Sequence, residues 1–476
     1  MHVRRAIWLL AVAGAALGGC AAERQVPDSP QRRAAEEEVL RRWGKTLDEL
    51  PVDELVAISP HNENIQNEFE WAFCLHRAVQ RGRRVRISWR DVGGGASSIE
   101  KFLLNVFEQN RRRTMDIDVL WGGGEFTFMN LAKAGALEPL DLPADVIANV
   151  PEQFAGARMI DADRRWIGSA VSGFGFLYNR AMMERCGIAP PRQWEDLADR
   201  RFHGLISLAD PSASGSAAMA YRMIVVSAPD WPTGWARLLR ILANAGRFTD
   251  SAGAAANSPV LGEALLATSI DFYGAMRVAE APDQLSYVSP PGQTTFSPDP
   301  IAVLHNPPHR ELAEEFVRFV MSPQGQALWA LPPGSPDGPI RTSLGRQPIR
   351  RDVYRTLAGR MLPWLVDPYQ PGQALALDPS LDRGVDFHVL RALVYDAAIV
   401  HRDLLHRAGR RLIDSGDDPV LAAIFNELPP ELSDLAGIRR AKADLGSKDS
   451  KAVDDLHRRW QRFFADKYRR ILEAQP

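Results

Sequence analysis

Three segments of the chain place glycine and serine directly before a predicted helix, where they could bind negative charge. They cover residues 91–98, 121–126 and 210–216. Backbone N–H groups at a helix start attract anions, and Ser hydroxyls add donors without a basic side chain. In the third segment, capping of the helix by Ser212 or Ser214 explains the same pattern. Both interpretations stay open.

Two ring side chains lie next to these segments. Trp121 precedes the glycines of the second segment and could offer a stacking face to a solute, or it could pack at the end of a strand. His61 follows a short apolar run and could ligate a solute or a metal ion, or form a structural hydrogen bond within its loop. The sequence alone does not choose between these roles.

The elements that must position these residues follow a repeated order of strand, glycine-rich or polar loop, and helix. Apolar runs at residues 55–59, 85–89 and 117–121 predict strands, and each is followed by a segment with helical periodicity. Such an order favours an α/β unit with a mainly parallel sheet. Because ligands bind beyond the carboxyl ends of parallel strands, the loops at residues 59–63, 91–98 and 121–126 are expected to line one rim.

A second α/β unit follows, and the chain then returns to the first. We predict lobe 1 at residues 51–165 and 286–355 and lobe 2 at residues 166–285, joined by a hinge. Residues 356–476 are predicted to form a helical extension. Near its end the aromatic residues recur at helical spacing among many basic residues, Lys467 included. We favour a solvated basic face with aromatics packed on the body over a membrane-binding helix.

The first residues are typical of a secretory signal. Arg4 and Arg5 precede an apolar run that is too short to span a bilayer, and Leu17-Gly18-Gly19-Cys20 follows. The pattern predicts a signal peptide at residues 1–19 and a lipid-modified Cys20. Residues 20–50 then form a tether, or equally a helix packed on the body.

Composition narrows the function. The chain of 476 residues carries 57 basic and 59 acidic residues, so it lacks the concentrated positive charge that nucleic-acid binding requires. It contains no nucleophile elbow, no zinc-type helix with a His-x-x-x-His pair and no phosphate-binding Gly-x-x-x-x-Gly-Lys loop. Besides Cys20, only Cys74 and Cys186 are present. We expect two buried thiols, although an extracytoplasmic compartment would permit one bridge.

Four motifs in order resemble those of the periplasmic solute-binding proteins of ABC importers, in particular the branch that includes ferric-iron binders. They are Gly173–Arg180, Pro191–Leu197 with the following Phe-His-Gly, Ala209–Pro211 with Ser214-Gly215, and Leu312–Gln326. The resemblance covers roughly residues 54–355. It implies an α/β, bilobal, class II periplasmic-binding-protein-like fold that closes on a ligand by hinge bending.

By this resemblance the ligand contacts come from both lobes. The implied residues are His61, Asn62, Gly94, Gly95, Ser97, Ser98, Trp121 and Gly122 in lobe 1, and Ser212, Ser214, Asn257, Asp271 and Tyr273 in lobe 2. Iron-binding members use two adjacent tyrosines with a His and a carboxylate. Here His61 and Tyr273 match, but Phe272 replaces the first tyrosine and removes an anionic oxygen donor. Asp271 or Glu125 would have to compensate.

The resemblance implies a lipid-anchored, monomeric binding protein in the cell envelope, without a cofactor or catalytic activity. It would deliver an anion or organic acid, or alternatively ferric iron, to the permease subunits of an ABC importer. A ligand-sensing receptor subunit for a membrane signalling partner would keep the same cleft. A lipoprotein hydrolase with a dispersed site is the further alternative.

Overall fold

A computed structural model describes residues 25–93, 95–111, 113–375, 386–447 and 449–474. The predicted signal peptide, Cys20 and Gly94 lie outside the described residues, as does the side chain of Ser97. The strands are β1 Val52–Ile58, β2 Arg84–Arg90, β3 Val119–Trp121, β4 Gln153–Phe154, β5 Ala157–Arg158, β6 Ile167–Ser172, β7 Phe174–Asn179, β8 Ile206–Ala209, β9 Ala245–Thr249, β10 Leu266–Ile270, β11 Leu285–Val288, β12 Ser297–Val303 and β13 Gln347–Pro348.

Helices cover both sheets. They are α1 Pro30–Trp43, α2 Glu63–Arg81, α3 Ala96–Gln109, α4 Glu125–Ala134, α5 Ala144–Asn149, α6 Arg180–Arg185, α7 Gly215–Val226, α8 Trp231–Ala243, α9 Ala252–Leu261, α10 Asp271–Glu280, α11 Arg310–Met321, α12 Pro323–Ala330, α13 Arg351–Thr356, α14 Phe387–Val394, α15 Arg402–Asp414, α16 Pro419–Asn426, α17 Leu435–Leu445 and α18 Ser450–Glu473. Short 3-10 turns lie at Leu47–Glu49, Trp194–Ala198, Arg200–Phe202 and Pro430–Leu432, and a π-helical turn at Tyr395–Ile399 follows α14.

The predicted bilobal α/β fold is confirmed. Lobe 1 is built on a six-stranded sheet in the order β13-β6-β12-β3-β1-β2, and lobe 2 on a five-stranded sheet in the order β11-β7-β10-β8-β9. The sheets are mixed, whereas the sequence predicts a mainly parallel sheet. Strands β1, β2 and β3 pair in parallel, but β12 runs antiparallel to both β3 and β6. The returning chain therefore inserts a strand in the opposite direction.

The chain passes between the lobes at different residues from those predicted. Strand β6 still belongs to the first sheet and β7 to the second, so the first crossing lies at Gly173 and not near residue 166. The second crossing lies between β11 and β12, after residue 288. At the first crossing, Asp271 Oδ2 accepts a hydrogen bond from the N–H of Gly173 at 2.8 Å. Lobe 2 thus holds the hinge strand through the first residue of α10.

The segment predicted as a tether contains a packed helix. In α1, Val39 is fully buried, and Trp43 Nε1 donates to the carbonyl oxygen of Val79 at 3.2 Å. Gly82 adopts φ +64°, and a Cβ there would lie 2.9 Å from the Trp43 ring. Helix α1 therefore packs against the end of α2, so the packed alternative applies to this segment.

The helical extension packs on lobe 2 and shares its core. The predicted aromatic stripe of α18 is buried, with Trp460, Phe464 and Tyr468 fully enclosed. Lys467 is also buried, although the sequence places it on the solvated face. Its Nζ donates to the carbonyl oxygens of Phe425 and Glu427, both at 2.9 Å. The ends of neighbouring helical segments supply acceptors that periodicity cannot reveal.

The two remaining cysteines lie on different lobes. Cys74 is buried in α2, and Cys186 is exposed after α6, where the sequence predicts a buried thiol. No disulfide joins them in the described part of the chain.

Candidate functional site

Three loops of lobe 1 meet at the carboxyl ends of β1, β2 and β3. Gly122 has φ +88°, and a Cβ at this position would lie 2.6 Å from His61 Nε2. Gly123 has φ +111°, and a Cβ there would lie 2.8 Å from the Cβ of Ala96. Only glycine permits this approach without strain. The structure brings together the loops that the sequence predicts to share one rim.

His61 lies below this rim, in a buried ionic cluster with Asp299 and Arg346. His61 Nε2 lies 2.6 Å from Asp299 Oδ2 and 3.0 Å from an Arg346 nitrogen, and Arg346 also donates to Asp299. Ser172 completes the cluster by accepting a hydrogen bond from Arg346 at 2.9 Å. We call these four residues the Arg346 cluster. Nε2 of His61 is thus already engaged, whereas its Nδ1 is buried without a hydrogen-bond partner among the described residues.

Charge in the Arg346 cluster is set by burial and by the pairing. Burial lowers the pKa of His61, and its contact with Asp299 only partly opposes that effect. Burial alone would raise the pKa of Asp299, but Arg346, His61 and the N–H of Gly123 outweigh it and hold that pKa well below its usual range. The cluster therefore contains a carboxylate and a guanidinium that neutralise each other, and it serves lobe 1 structurally.

Trp121 has no face for a solute. Its indole is fully buried, and its Nε1 donates to Ser169 Oγ at 2.8 Å. The ring packs edge-on against His61, with centroids 4.6 Å apart. These contacts correspond to the packing alternative for Trp121.

The other residues implied in lobe 1 lie at helix starts. Asn62 is exposed and caps α2, with Oδ1 accepting from the N–H of Ile65 at 3.1 Å. Gly95 occupies the N-cap position of α3, and Ser98 is exposed in the first turn. The N–H of Ser98 donates to the carbonyl oxygen of Gly95 at 2.9 Å, so the exposed side chain of Ser98 is the group that the anion-binding hypothesis can use here.

Ser214 and Ser212 of lobe 2 differ in whether they cap helix α7 or leave a hydroxyl group at the surface for a solute. Ser214 is buried, and its Oγ accepts from the N–H of Ala217 at 3.3 Å, so it caps α7. Ser212 is exposed in the preceding loop, where its N–H donates to Asp210 Oδ1 at 2.7 Å. The hydroxyl of Ser212 thus remains at the surface.

The remaining implied residues of lobe 2 lie on α9 and α10. Asn257 is half-buried in the second turn of α9. Asp271 is buried at the hinge, where burial raises its pKa to about 6 against the N–H of Gly173. Tyr273 is half-buried, with its ring 4.3 Å from that of Phe272. Phe272 in turn lies 4.9 Å from the Arg346 guanidinium carbon. Asp271 and Phe272 therefore connect lobe 2 to the Arg346 cluster.

Glu125 of lobe 1 interacts electrostatically with Arg222 of lobe 2. Glu125 is the first residue of α4, directly after the Gly122–Gly124 loop, and Arg222 is the one charged residue of α7. Burial raises the pKa of Glu125 to about 7, and the charge of Arg222 opposes that rise. Sequence reasoning considered Glu125 only as a substitute iron ligand and missed Arg222. A lone arginine in an otherwise uncharged helix is the signal that could have found it.

The described residues offer neither a cluster of metal ligands nor a membrane-spanning helix. In residues 25–93, 95–111, 113–375, 386–447 and 449–474, no group of three or more His, Cys, Asp or Glu side chains is arranged to hold a metal ion. Within the same ranges, every helix is too short or too polar to cross a bilayer.

Comparison with known proteins finds similarity to bacterial solute-binding proteins. Residues 117–337 match the bacterial extracellular solute-binding protein family. The phosphoglycerate transport regulatory protein PgtC of Salmonella typhimurium is 27% identical over 164 residues, and the Salmonella typhi protein of the same name matches equally. The match spans 34% of this chain and 40% of the length of these curated relatives.

Solved structures share the bilobal fold. The periplasmic binding protein AfuA of Actinobacillus pleuropneumoniae, solved with fructose-6-phosphate, has a TM-score of 0.51 at 18% identity and covers 76% of this chain and 98% of its own. Iron-bound HitA of Pseudomonas aeruginosa has the same TM-score and identity, covering 72% and 98% respectively. The family and these structural relatives are binding proteins and not enzymes.

Proposed function

We propose that this chain captures a small anionic solute between its lobes for an ABC importer, and the match of its residues 117–337 to the bacterial extracellular solute-binding protein family supports this. The solute is an organic acid or a phosphate ester. The observation that carries the proposal is the arrangement of the rims: N–H and hydroxyl groups at helix starts on both lobes, with Arg222 on the lobe 2 side. Such donors favour negative charge in a partly desolvated cleft.

Ferric iron is the less favoured solute. His61 Nε2 already contacts Asp299 and Arg346, and Phe272 stands where iron binders place a tyrosine. Loss of a phenolate oxygen weakens a site for a hard, highly charged cation. The iron is the ligand of HitA, and HitA at 18% identity has only the fold in common with this chain.

We further propose that the chain is lipid-anchored and monomeric. The Leu-Gly-Gly-Cys motif supports cleavage before Cys20 and lipidation of that residue. The binding protein would then be held at the membrane as a monomer, with both lobes outside the cytoplasm and able to dock on the permease.

A receptor subunit is the second candidate. The curated relative PgtC is named as a regulatory protein of phosphoglycerate transport. The helical extension of this chain packs on lobe 2, and Arg391 in α14 contacts the loop of Ser212. A partner protein that binds the extension would therefore touch an element connected to the solute loop.

Thermal unfolding of the mature chain tests the proposal. The panel contains malate, 3-phosphoglycerate, fructose-6-phosphate, phosphate and ferric citrate. A bound anion at 100 times its Kd should add about 2.7 kcal/mol to the free energy of unfolding. A saturable shift with an organic anion is expected. A shift with ferric citrate alone, or chemical conversion of a bound compound, would contradict the proposal.

Deletion of the gene separates the two candidates. If the chain is an importer component, its deletion is expected to abolish uptake of the labelled solute. Solute-dependent transcription of unrelated transport genes is expected to persist. The reverse result would identify a receptor subunit.

A further inference from the structure

Glu125 carries a buried oxygen that the protein leaves unsatisfied. Its Oε2 is inaccessible to solvent and has no hydrogen-bond partner among the described residues. A buried carboxylate oxygen without a donor costs free energy, and such groups in native proteins call for an explanation. The neighbouring carboxylate of Glu100, by contrast, accepts from Thr127 Oγ1 at 3.1 Å and from Asn130 Nδ2 at 2.8 Å. Of these two carboxylates, only that of Glu125 has a buried oxygen without a partner among the described residues.

The position of Glu125 places this oxygen where a solute would bind. The residue follows the glycines that touch the loops after β1 and β2, and it faces Arg222 on lobe 2. Arg222 lies two turns into α7, the helix that Ser214 caps. A solute held between the rims would lie beside both the acid and the guanidinium.

An acidic side chain is an unexpected component of an anion-binding cleft. It repels a bare anion, so it would weaken the binding of phosphate, sulfate or a simple dicarboxylate. A solute that also carries a hydroxyl group reverses this effect, because the hydroxyl donates to the carboxylate in a charge-assisted hydrogen bond. The acid then selects among anions and does not oppose all of them.

We propose that Glu125 is a specificity-determining residue that accepts a hydrogen bond from a hydroxyl group of the solute. The solute class is therefore the hydroxylated organic anions, such as hydroxy acids and sugar phosphates. This inference rests on the proposed anion-binding function and names the solute class for the same cleft. A site built to bind a hydroxyl rejects the analogue without it, because a buried polar group is then left unpaired.

Matched solute pairs test the inference by isothermal titration calorimetry on the mature chain. The pairs are malate against succinate, and 3-phosphoglycerate against phosphonooxypropanoate, which lacks its hydroxyl. The measurements are made near pH 8, roughly one unit above the pKa of Glu125, so that the carboxylate is ionised. For at least one pair the wild type is expected to prefer the hydroxylated member by about 10-fold to 100-fold.

Two variants assign the preference to Glu125. Glu125→Ala is expected to bring the ratio of the two Kd values close to one, by weakening the hydroxylated member and strengthening the other. Glu100→Gln alters a carboxylate that contacts the same helix, and it is expected to keep the wild-type ratio. Unfolding temperatures of both variants verify that they are folded.

The outcomes separate the two proposals. Equal affinity for both members in the wild type, or a preference that persists in Glu125→Ala, overturns the role of Glu125 while anion binding stands. Aspartate is titrated as a further solute. If the wild type prefers aspartate to malate, the Glu125 oxygen accepts from an ammonium group of the solute, and the proposed class of hydroxylated anions is overturned. Binding of neither member of either pair overturns anion binding and the inference together.

Discussion

Arg391, in the first helix of the C-terminal extension, donates a hydrogen bond to the carbonyl oxygen of Ser212 in the loop that precedes α7. The two residues are 179 positions apart in the sequence. The loop follows strand β8 of lobe 2 and, in the proposed function, forms part of the rim that holds the solute. The extension is thus in direct contact with the proposed solute site and is not an independent domain.

Arg391→Ala is expected to weaken solute binding. The change removes a donor that restrains the Ser212 loop and a positive charge near an anionic solute, for a loss of about 1 kcal/mol or roughly fivefold in Kd. Calorimetric titration with malate or 3-phosphoglycerate measures the change. Arg410→Ala, which removes an exposed ion pair with Asp414 in the same extension, should leave Kd unchanged. Equal Kd values in all three proteins would show that the contact has no bearing on binding.

Asp299→Asn is expected to destabilise lobe 1 strongly. Asp299 and Arg346 are both buried, and the substitution leaves the guanidinium without its carboxylate. Loss of one member of a buried pair costs about 3 kcal/mol or more. Urea unfolding gives the value. The matched control is Asp337→Asn, which breaks an exposed pair with Arg360 and should cost less than about 0.5 kcal/mol. A small effect of both substitutions would argue against the structural role of the Arg346 cluster.

Glu125 is expected to make solute-free stability fall as pH rises. Its folded-state pKa of about 7 lies above its ordinary value of 4.5. The native state therefore binds more protons than the unfolded state between these two values, and the wild type loses stability across that window. Glu125→Gln lacks this loss, so it should match the wild type near about pH 4 and exceed it by about 2 kcal/mol near pH 8. The free energies of unfolding are measured with urea at each pH. A difference between wild type and Glu125→Gln that stays the same at every pH would contradict the burial of this carboxyl.

Lys467 is expected to have the opposite pH dependence. Burial lowers its pKa from 10.5 to about 7, with Glu427 opposing the shift. The unfolded state then binds more protons between these values, so the free energy of unfolding of the wild type rises with pH by up to about 1.4 kcal/mol per unit. Lys467→Met should lose this slope, and Lys451→Met, at an exposed position, should keep it. Urea unfolding from about pH 7 to pH 9 measures the slope; identical slopes in all three would refute the prediction.

Local sequence patterns were sufficient to predict the α/β class of the two lobes. The order of apolar runs, glycine loops and helical periodicity predicted the α/β lobes, because side-chain alternation and helix signals depend on neighbouring residues. The convergence of the loops after β1, β2 and β3 also followed, since parallel strands end at the same edge. The packed aromatic stripe of α18, with Trp460 and Phe464, was predicted on the same grounds.

Only the tertiary structure decided what each side chain does. His61 and Trp121 have the residue types of a binding site, yet Asp299, Arg346 and Ser169, all distant in sequence, engage or bury them. Arg222 of lobe 2 acts electrostatically on Glu125 of lobe 1, and Arg391 of the extension donates to the carbonyl oxygen of Ser212. Burial and long-range partners determine the charge of a side chain, its exposure and whether its hydrogen bonds are satisfied. These properties depend on residues distant in the sequence, so local patterns cannot predict them.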